Sequence, residues 1–421
     1  MANNLETIRM ITREALRVLH QQSNFLGAIN RDYDDKFAVS GAKIGQTLNV
    51  RMPVKYNVRK NATFSGQDHY ERSTPLSITN QYGVDVSFTT AEMTMSLDLI
   101  SDRVLKPAMA QLAAQIEAEC MTRAYKLVNN YTNATTNSLM TFNYFTRGDA
   151  NLTRQLAPRT DRAAILGPDS KIALIGDTKS LFQAATNISE QYREGMLGRT
   201  GGFDVYENTL VPSHTTGTLA GSPVTDGSAL GTSTTANLWV SQTTLQIDGA
   251  TSGTTLLAGD IITLSGVYEV HPESKVKTGR LQTFVVQESV TLTTSADDYA
   301  VVVKPGMIYG TGNAYQNCVL SGVANTDGLT VTRIGAVGTA FGQDLQFHKD
   351  AFIFGTADLI DVSQFGAMCV REVMDGISMR WVQQYDVSAD TVAGRFDILW
   401  GFGGAYPELA NRHMYTQSLA V

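Results

Sequence analysis

The sequence predicts an α+β fold interrupted by an all-β block, on three observations. Two stretches, 48–58 and 76–88, alternate apolar and polar residues as a strand with one buried face does. One long stretch, 108–128, carries its apolar residues at helical spacing. From 238 to 340 only short strand-like pieces occur, with turn residues between them.

Taken in order, residues 4–20 read as an amphipathic helix. Leu5, Ile8, Ile11, Ala15 and Leu19 recur at spacings of three and four, with Arg and Glu between them, and Asn3 or Asn4 can cap it. The polar connector DYDDKF at 32–37 follows, so the helix behaves as an arm. Its stripe, with Ile8, Ile11 and Leu19, needs a partner surface.

Leu48, Val50, Met52, Val54, Tyr56 and Val58 alternate without a break; Leu76, Ile78, Tyr82, Val84, Val86 and Phe88 repeat the pattern. The polar stretch RKNATFSGQDHYERSTP lies between. The simplest assembly is a two-stranded ribbon with a charged tip, roughly 35 Å long at about 3.3 Å per residue. A lone ribbon is barely stable in water, and Pro53 lacks a ladder donor, which suits an exposed edge. The ribbon is therefore expected to lie on another subunit. The tip charges Arg59, Lys60, Asp68, Glu71 and Arg72 would set register there, with Asn61 beside them.

Residues 91–129 read as helical, with Pro107 in the first turn of a long helix and Met109, Leu112, Ala113, Ile116, Cys120, Ala124, Leu127 and Val128 on one stripe. Between 130 and 212 short strands and helices mix: KIALIGD (171–177) reads as a buried strand, 178–197 as a helix, and FDVYENTLVP (203–212) as a strand. Near 213 the composition turns rich in Thr, Ser and Gly. The strand pieces that follow suggest a small barrel or sandwich, inserted because the mixed pattern resumes at FHKDAFIFGTADLIDV (347–362). The chain closes with a hairpin: Ile377, Met379, Trp381, Tyr385 and Val387 alternate, SADT turns, and Phe396, Ile398, Trp400 and Phe402 alternate back.

Composition narrows the function. Charged residues are only 17 % of the chain, below the usual quarter, which fits surfaces covered by neighbours. The net charge of −7 argues against binding nucleic acid along the whole surface, since that work is done by Lys and Arg. Three separated cysteines, Cys120, Cys318 and Cys369, predict reduced thiols and neither a disulfide framework nor a zinc site. Charged residues in the first twenty positions exclude a signal peptide core, and no apolar run is long enough for a membrane helix, so no membrane partner is expected.

Catalytic constellations are lacking: there is no G-x-S-x-G, H-E-x-x-H or Walker A sequence. GMLGRTGG (195–202) lacks the strand-then-helix setting of a nucleotide loop. The six histidines, His20, His69, His214, His271, His348 and His413, show no ligand spacing, and Asp34–Asp35 and Asp297–Asp298 lack an EF-hand ladder. His348 and Asp350 flank Lys349 as surface turn residues would. No enzyme activity, cofactor or metal is expected.

The order of parts resembles the tailed-phage capsid fold named for HK97, and more specifically coat proteins of the P22 type with an insertion domain. The stretches that carry the resemblance are GQTLNVRMPVKYNV (45–58), LISDRVLKPAMAQLAAQIEAEC (99–120), GGFDVYENTLVPSHTTGT (201–218), LAGDIITLSGVYEV (257–270) and FHKDAF (347–352). The resemblance implies an N-terminal arm at 1–44, an extended loop at 45–90, a peripheral domain with a spine helix at 91–130, an axial domain at 131–212 and 343–421 (the last part shared with the peripheral domain), and an inserted β domain at 213–342. It implies a homo-oligomer of pentamers and hexamers in an icosahedral virion shell assembled in the host cytoplasm. Scaffolding and portal proteins would be partners, and the shell would enclose double-stranded DNA without sequence-specific binding. In some such capsids Lys and Asn form intersubunit isopeptide links; Lys60 and Asn61 have the right chemistry, but a carboxylate and a matching position are also needed. The acidic, Thr-rich stretch at 213–237 departs from the pattern. The rival readings are a fibre or adhesin, suggested by the Thr/Gly-rich β block, and a glycosidase, for which no carboxylate pair stands out.

Overall fold

The computed structural model describes residues 24–34, 47–59, 62–64, 66–67, 71–89, 106–134, 139–178, 198–227, 230–232, 238–293, 298–366, 368–374 and 377–416, with Thr12, Arg13, Ala15 and Arg17. Those last four include three helical neighbours of the arm stripe, but Ile8, Ile11 and Leu19 lie outside the described residues. So do Lys60, Asn61, Asp68, and the helical stretches expected at 91–105 and 179–197. The chain divides into two compact units: 1–50, 74–123 and 352–405, and 51–73, 124–351 and 406–421.

In the first unit, α1 (Asn24–Ala28) precedes β1 (Asn30–Asp34), and the short β2 (Thr47–Arg51) pairs with β3 (Ser73–Ser77). β4 (Asn80–Thr89) follows, then α2 (Lys106–Tyr125). The trunk of the sheet is β23 (Thr391–Gly404), which pairs with β4, β20 (Phe352–Ala357) and β22 (Ile377–Asp386); β1 joins β20 and β21 (Met368–Met374) joins β22. The closing hairpin is thus β22–β23, as its alternation predicts. Its inward residues Ile377, Met379, Trp381, Phe396, Ile398 and Trp400 are buried, with Trp381 and Phe396 rings 4.1 Å apart. The two strands can approach because residue 394 is glycine: a Cβ there would stand 2.2 Å from the Trp381 ring. The α2 stripe is buried from Met109 through Cys120. Its polar side is bolted to the sheet by Tyr82, which donates to Glu119 at 2.8 Å, and by Arg123, which lies 5.3 Å over the Trp400 ring. The buried Glu117 carboxylate accepts the Phe25 amide at 2.6 Å and so fixes α1.

The long ribbon expected over 48–58 and 76–88 is not formed. Pairing stops at Arg51, and the second stretch splits into β3 and β4, of which β4 runs ten residues along β23, from Thr89↔Thr391 to Asn80↔Trp400. The alternation in 76–88 marked a strand correctly, but its partner is the closing hairpin. Residues 52–59 join no ladder, which Pro53 already favoured.

In the second unit a mixed sheet runs β5 (Tyr131–Thr132), β24 (Ala410–Thr416), β19 (Ala340–His348), β6 (Arg162–Leu166), β8 (Phe203–Glu207), β7 (Arg199–Thr200), with β9 (Ser213–Thr215) also on β19. Two helices accompany it, α3 (Phe142–Arg154) and α4 (Pro168–Thr178). The apolar run at 171–177, expected as a strand, is inside α4. A short apolar run does not distinguish the two; Pro168 in the first turn does, because it pre-sets the helical φ. Ile172 is accordingly 69 % exposed while Leu174 is fully buried. The end of the glycine-rich stretch at 195–202, Gly201–Gly202, is a two-residue turn between β7 and β8, both at positive φ.

Between β9 and β19 the described elements are all strands: β10 (Gly221–Asp226), β11 (Thr243–Ala250), β12 (Thr254–Leu256), β13 (Ile261–Val270), β14 (Lys277–Val286), β15 (Val290–Leu292), β16 (Tyr299–Lys304), β17 (Cys318–Leu320) and β18 (Val331–Arg333). The order β10-β11-β16-β14-β13, with β18 also on β13, closes on itself. Val224 bridges Thr330, and Thr225 donates to Leu329 at 3.0 Å, joining β10 to the start of β18. The result is a small closed barrel filled by Leu245, Ile247, Ile262, Leu264, Phe284, Val301 and Val331, with β17 added as an edge strand on β13. Its entry and exit strands are neighbours, since Thr215 pairs Ala340.

At that seam the buried Asp260 carboxylate binds His214 Nε2 at 2.9 Å and accepts the amides of Gly217 and Leu257. The Asp260→Ala variant strands these groups in a dry site and should lose about 3–5 kcal/mol of stability, read in denaturant unfolding. A second buried carboxylate, Asp344 on β19, is opposite His413 on β24. Burial pushes Asp344 up to about 7, against the Gly167 amide at 2.8 Å, which favours the charged form. Burial also holds His413 down at about 3, so it stays neutral. A carboxyl raised from 3.8 to about 7 contributes stability that is complete below its ordinary value and is lost as pH rises through 7. Asp344→Asn should therefore remove a fall in melting temperature between about pH 4 and pH 7, measured by scanning calorimetry.

Candidate intersubunit surface

Residues 51–73 leave the β2–β3 pair and are seated on the second unit. The root is closed by the Met52 amide, which donates to the Arg72 carbonyl at 3.0 Å. Arg72, expected at the tip, is instead at this root and only 7 % exposed. Its guanidinium lies 5.1 Å from the Tyr406 ring, 5.9 Å from Tyr315 and 6.0 Å from Trp239, with Glu408 Oε1 at 3.8 Å. Cation–π contacts from several rings suit Arg, whose flat, weakly hydrated head tolerates such a box.

Farther out, Lys55 N donates to the Tyr315 hydroxyl at 3.3 Å, and the Asn57 side chain donates to the Gly312 carbonyl. The two legs are braced by one side chain: Gln67 accepts the Asn57 amide at 2.8 Å and donates back to the Asn57 carbonyl at 2.6 Å. Arg59 Nη1 donates to the Ala62 carbonyl at 2.8 Å and folds the leg inward. Glu71 is exposed and 3.7 Å from an equally exposed Arg51, a geometry worth little in water.

Two lysines border the seat. Burial lowers Lys55, and Arg72 lowers it further. Burial, then the charge of Lys55, pulls Lys275 down to about 8, although its ammonium donates to the Gln316 carbonyl at 3.0 Å. The seat is therefore rich in positive charge, with Glu408 and Glu273 as the carboxylates that oppose it.

Beyond the brace the surface becomes apolar and open. Tyr56 is 59 % exposed, Val58 92 % and Phe64 84 %. Alternation marked Tyr56 and Val58 but implied a covered face; among the members of that series whose burial is described, only Met52 is buried. Phe64 went unmarked because it interrupts a polar stretch; that interruption was itself the available signal. In the first unit, the β22–β23 turn similarly presents Tyr385 and an 82 % exposed Val387.

Among the described residues, neither the buried His348 and His413 nor the buried thiols are activated for chemistry. His348 Nδ1 accepts the Asp350 amide at 3.3 Å in a turn, and burial lowers its basicity. Cys318 is pushed up to about 12 by burial, and Cys120 well above its ordinary value, so neither thiol is activated. Among the described residues, no group of three or more His, Cys, Asp or Glu is placed to hold a metal ion, and no described helix is long and apolar enough to cross a membrane.

Residues 4–415 match the family model of the P22 coat protein, gene protein 5. No curated protein sequence matches significantly. Among solved structures, the chain is similar to one from Mycobacterium phage Che8, at 12 % identity over 93 % of this chain and 90 % of that one, TM-score 0.44. It is also similar to one in the mature capsid of bacteriophage PhiM1, at 8 % identity over 94 % and 87 %, TM-score 0.44. The CUS-3 coat protein I-domain matches 27 % of this chain over 96 % of its own, at 21 % identity and TM-score 0.20.

Arg72→Ala empties the ring box and should cost about 2 kcal/mol. Limited proteolysis should then cut between residues 59 and 71 several times faster than in the native chain; an unchanged rate would show that the box does not hold the loop.

Proposed function

The chain belongs to the P22 coat protein family, and from that premise we propose that it builds the icosahedral shell of a tailed double-stranded DNA phage as pentamers and hexamers. Membership makes it a major capsid protein, found in the virion and acting in many copies. The finer reading is that residues 45–90 reach a neighbouring subunit, residues 1–44 act as an arm, and 213–342 form an insertion domain that supports folding and shell geometry. A scaffolding protein and a portal would be the assembly partners, DNA the enclosed cargo, and no catalytic step is assigned.

The observation that carries this reading is the contrast within residues 51–73. The root is saturated with hydrogen bonds and ring contacts, while Tyr56, Val58 and Phe64 remain in water. Burying each against a neighbour gains about 1.5–3 kcal/mol. Because the brace holds them in one geometry, less ordering entropy is lost when a neighbour arrives. Tip charges such as Arg59 then select register. The barrel gives the loop its platform, since Lys275, Gly312 and Tyr315 belong to the segment between β9 and β19.

Val58→Asp combined with Phe64→Ser should leave the melting temperature of the unassembled chain within about 2 °C of native, because both side chains are already solvated. Closed shells, scored by electron microscopy and sedimentation after co-expression with the viral scaffolding protein, should be lost. Normal shells from this variant would remove the loop tip from the interface.

A further inference from the structure

An open cleft of about 330 Å³ in the second unit is lined by Arg147, Arg154, Arg280, Asn151, Thr132 and Asn133. Three guanidinium groups meet there, and none forms an ion pair with a described residue. Arg154 and Arg280 both donate to one atom, Asn151 Oδ1, at 2.9 and 3.1 Å. That oxygen cannot turn away. Asn151 is 7 % exposed, and its amide donates to the Tyr131 carbonyl at 3.2 Å and to Asn411 Oδ1 at 2.9 Å. A neutral, buried acceptor thus holds two like charges side by side. Arg147, one turn before Asn151 on α3, makes only a ring contact among the described residues, 5.7 Å from Tyr144. In the narrow cavity next to the cleft, the Glu269 carboxylate is taken by Gln155 at 2.6 Å and Thr278 at 3.3 Å.

Like charges fixed together without a counter-charge form a site for an anion. We propose that this cleft binds a phosphate group. Three planar forks offer more donors than a two-oxygen carboxylate can accept, whereas a tetrahedral phosphate matches several bidentate contacts and carries the charge to balance them. The source is either free inorganic phosphate or a backbone phosphate of DNA. The DNA source rests on the capsid reading above; the site itself does not. A local arginine cleft is compatible with a net charge of −7, because it needs three residues and not a basic face.

The test uses the unassembled full-length chain, so it is independent of shell formation. Inorganic phosphate at about tenfold its dissociation constant should raise the melting temperature by about 2–3 °C over chloride of equal ionic strength. A short DNA duplex should be titrated in parallel, by calorimetry and in rising salt. Binding of phosphate alone, or of both, supports the site with phosphate available as the free ion; binding of the duplex alone supports a backbone source. Arg147→Gln, at a side chain with no hydrogen bond to a described residue, should fold normally and weaken binding about tenfold. Arg159→Gln, an exposed arginine outside the cleft, should bind as the native chain does. No stabilisation by either ligand, equal binding by Arg147→Gln, or binding of a polyglutamate peptide in preference to phosphate would overturn the assignment.

Discussion

The second unit depends on one buried carboxylate. Asp260 stands where the barrel meets the sheet, and its two oxygens hold the entering strand through His214 and Gly217 and their own turn through Leu257. The next residue back, Gly259, accepts Arg412 Nη2 from β24 at 2.7 Å, so the sheet's last strand is tied to the same corner. Burial lowers Arg412 to about 10, which still leaves it charged at any ordinary pH. A long excursion costs little extra closure entropy once its ends are joined, because that cost grows only with the logarithm of length. The seam of β9 on β19 joins those ends, and Asp260 keeps the joint rigid. The barrel can then vary inside without opening the sheet that carries it.

The sheet beside it solves a different problem. Alternation places Gln346 with Asn411 on the face that meets α3, where apolar side chains would ordinarily pack. Instead the Asn411 amide donates to Thr132 at 2.6 Å and to Gln346 at 3.2 Å, and Gln346 donates to the Phe145 carbonyl at 3.1 Å. Gly148 allows the close approach, since any Cβ there would collide with the Gln346 side chain. Satisfied polar networks specify one arrangement more sharply than they add stability. Here the network fixes α3, and α3 in turn carries Arg147, Asn151 and Arg154 to one cleft.

Periodicity disclosed elements better than it disclosed partners. The spine helix, the closing hairpin and the strands of the barrel all follow from spacing, because each buries one face within its own unit. The α+β class, and the absence of helices among the described residues between 238 and 340, were equally legible. The misreadings share a cause. Residues 52–58 alternate and Met52 is buried, but Tyr56 and Val58 are exposed, so a pattern that usually reports a core reports an open surface at its outer end. The run at 171–177 is too short to have a period, and Pro168 had to decide it. Arg72 looked like a tip charge because sequence gives no hint that Trp239, Tyr315 and Tyr406 converge on it from far along the chain. The same is true of the arginine cleft, whose members stand at 147, 154 and 280.

On the proposed reading that this loop meets a neighbouring subunit, the contrast between a fixed root and an open tip also bears on how a shell can form without error. An apolar loop free to move would collapse on its own chain or bind neighbours in many poses. A loop held by Gln67 and Arg72 offers few poses, and its gain per contact stays near a few kcal/mol. Against the association cost of each pairwise contact, that gain is modest, so a misplaced copy can leave again. Correct placement is retained only where several contacts form at once, as they do when a ring of copies closes. The low charge of the chain belongs to this arrangement: with 17 % charged residues, most of its surface can be covered by neighbours at little desolvation cost, and specificity falls to the few charges that remain beside the apolar contacts.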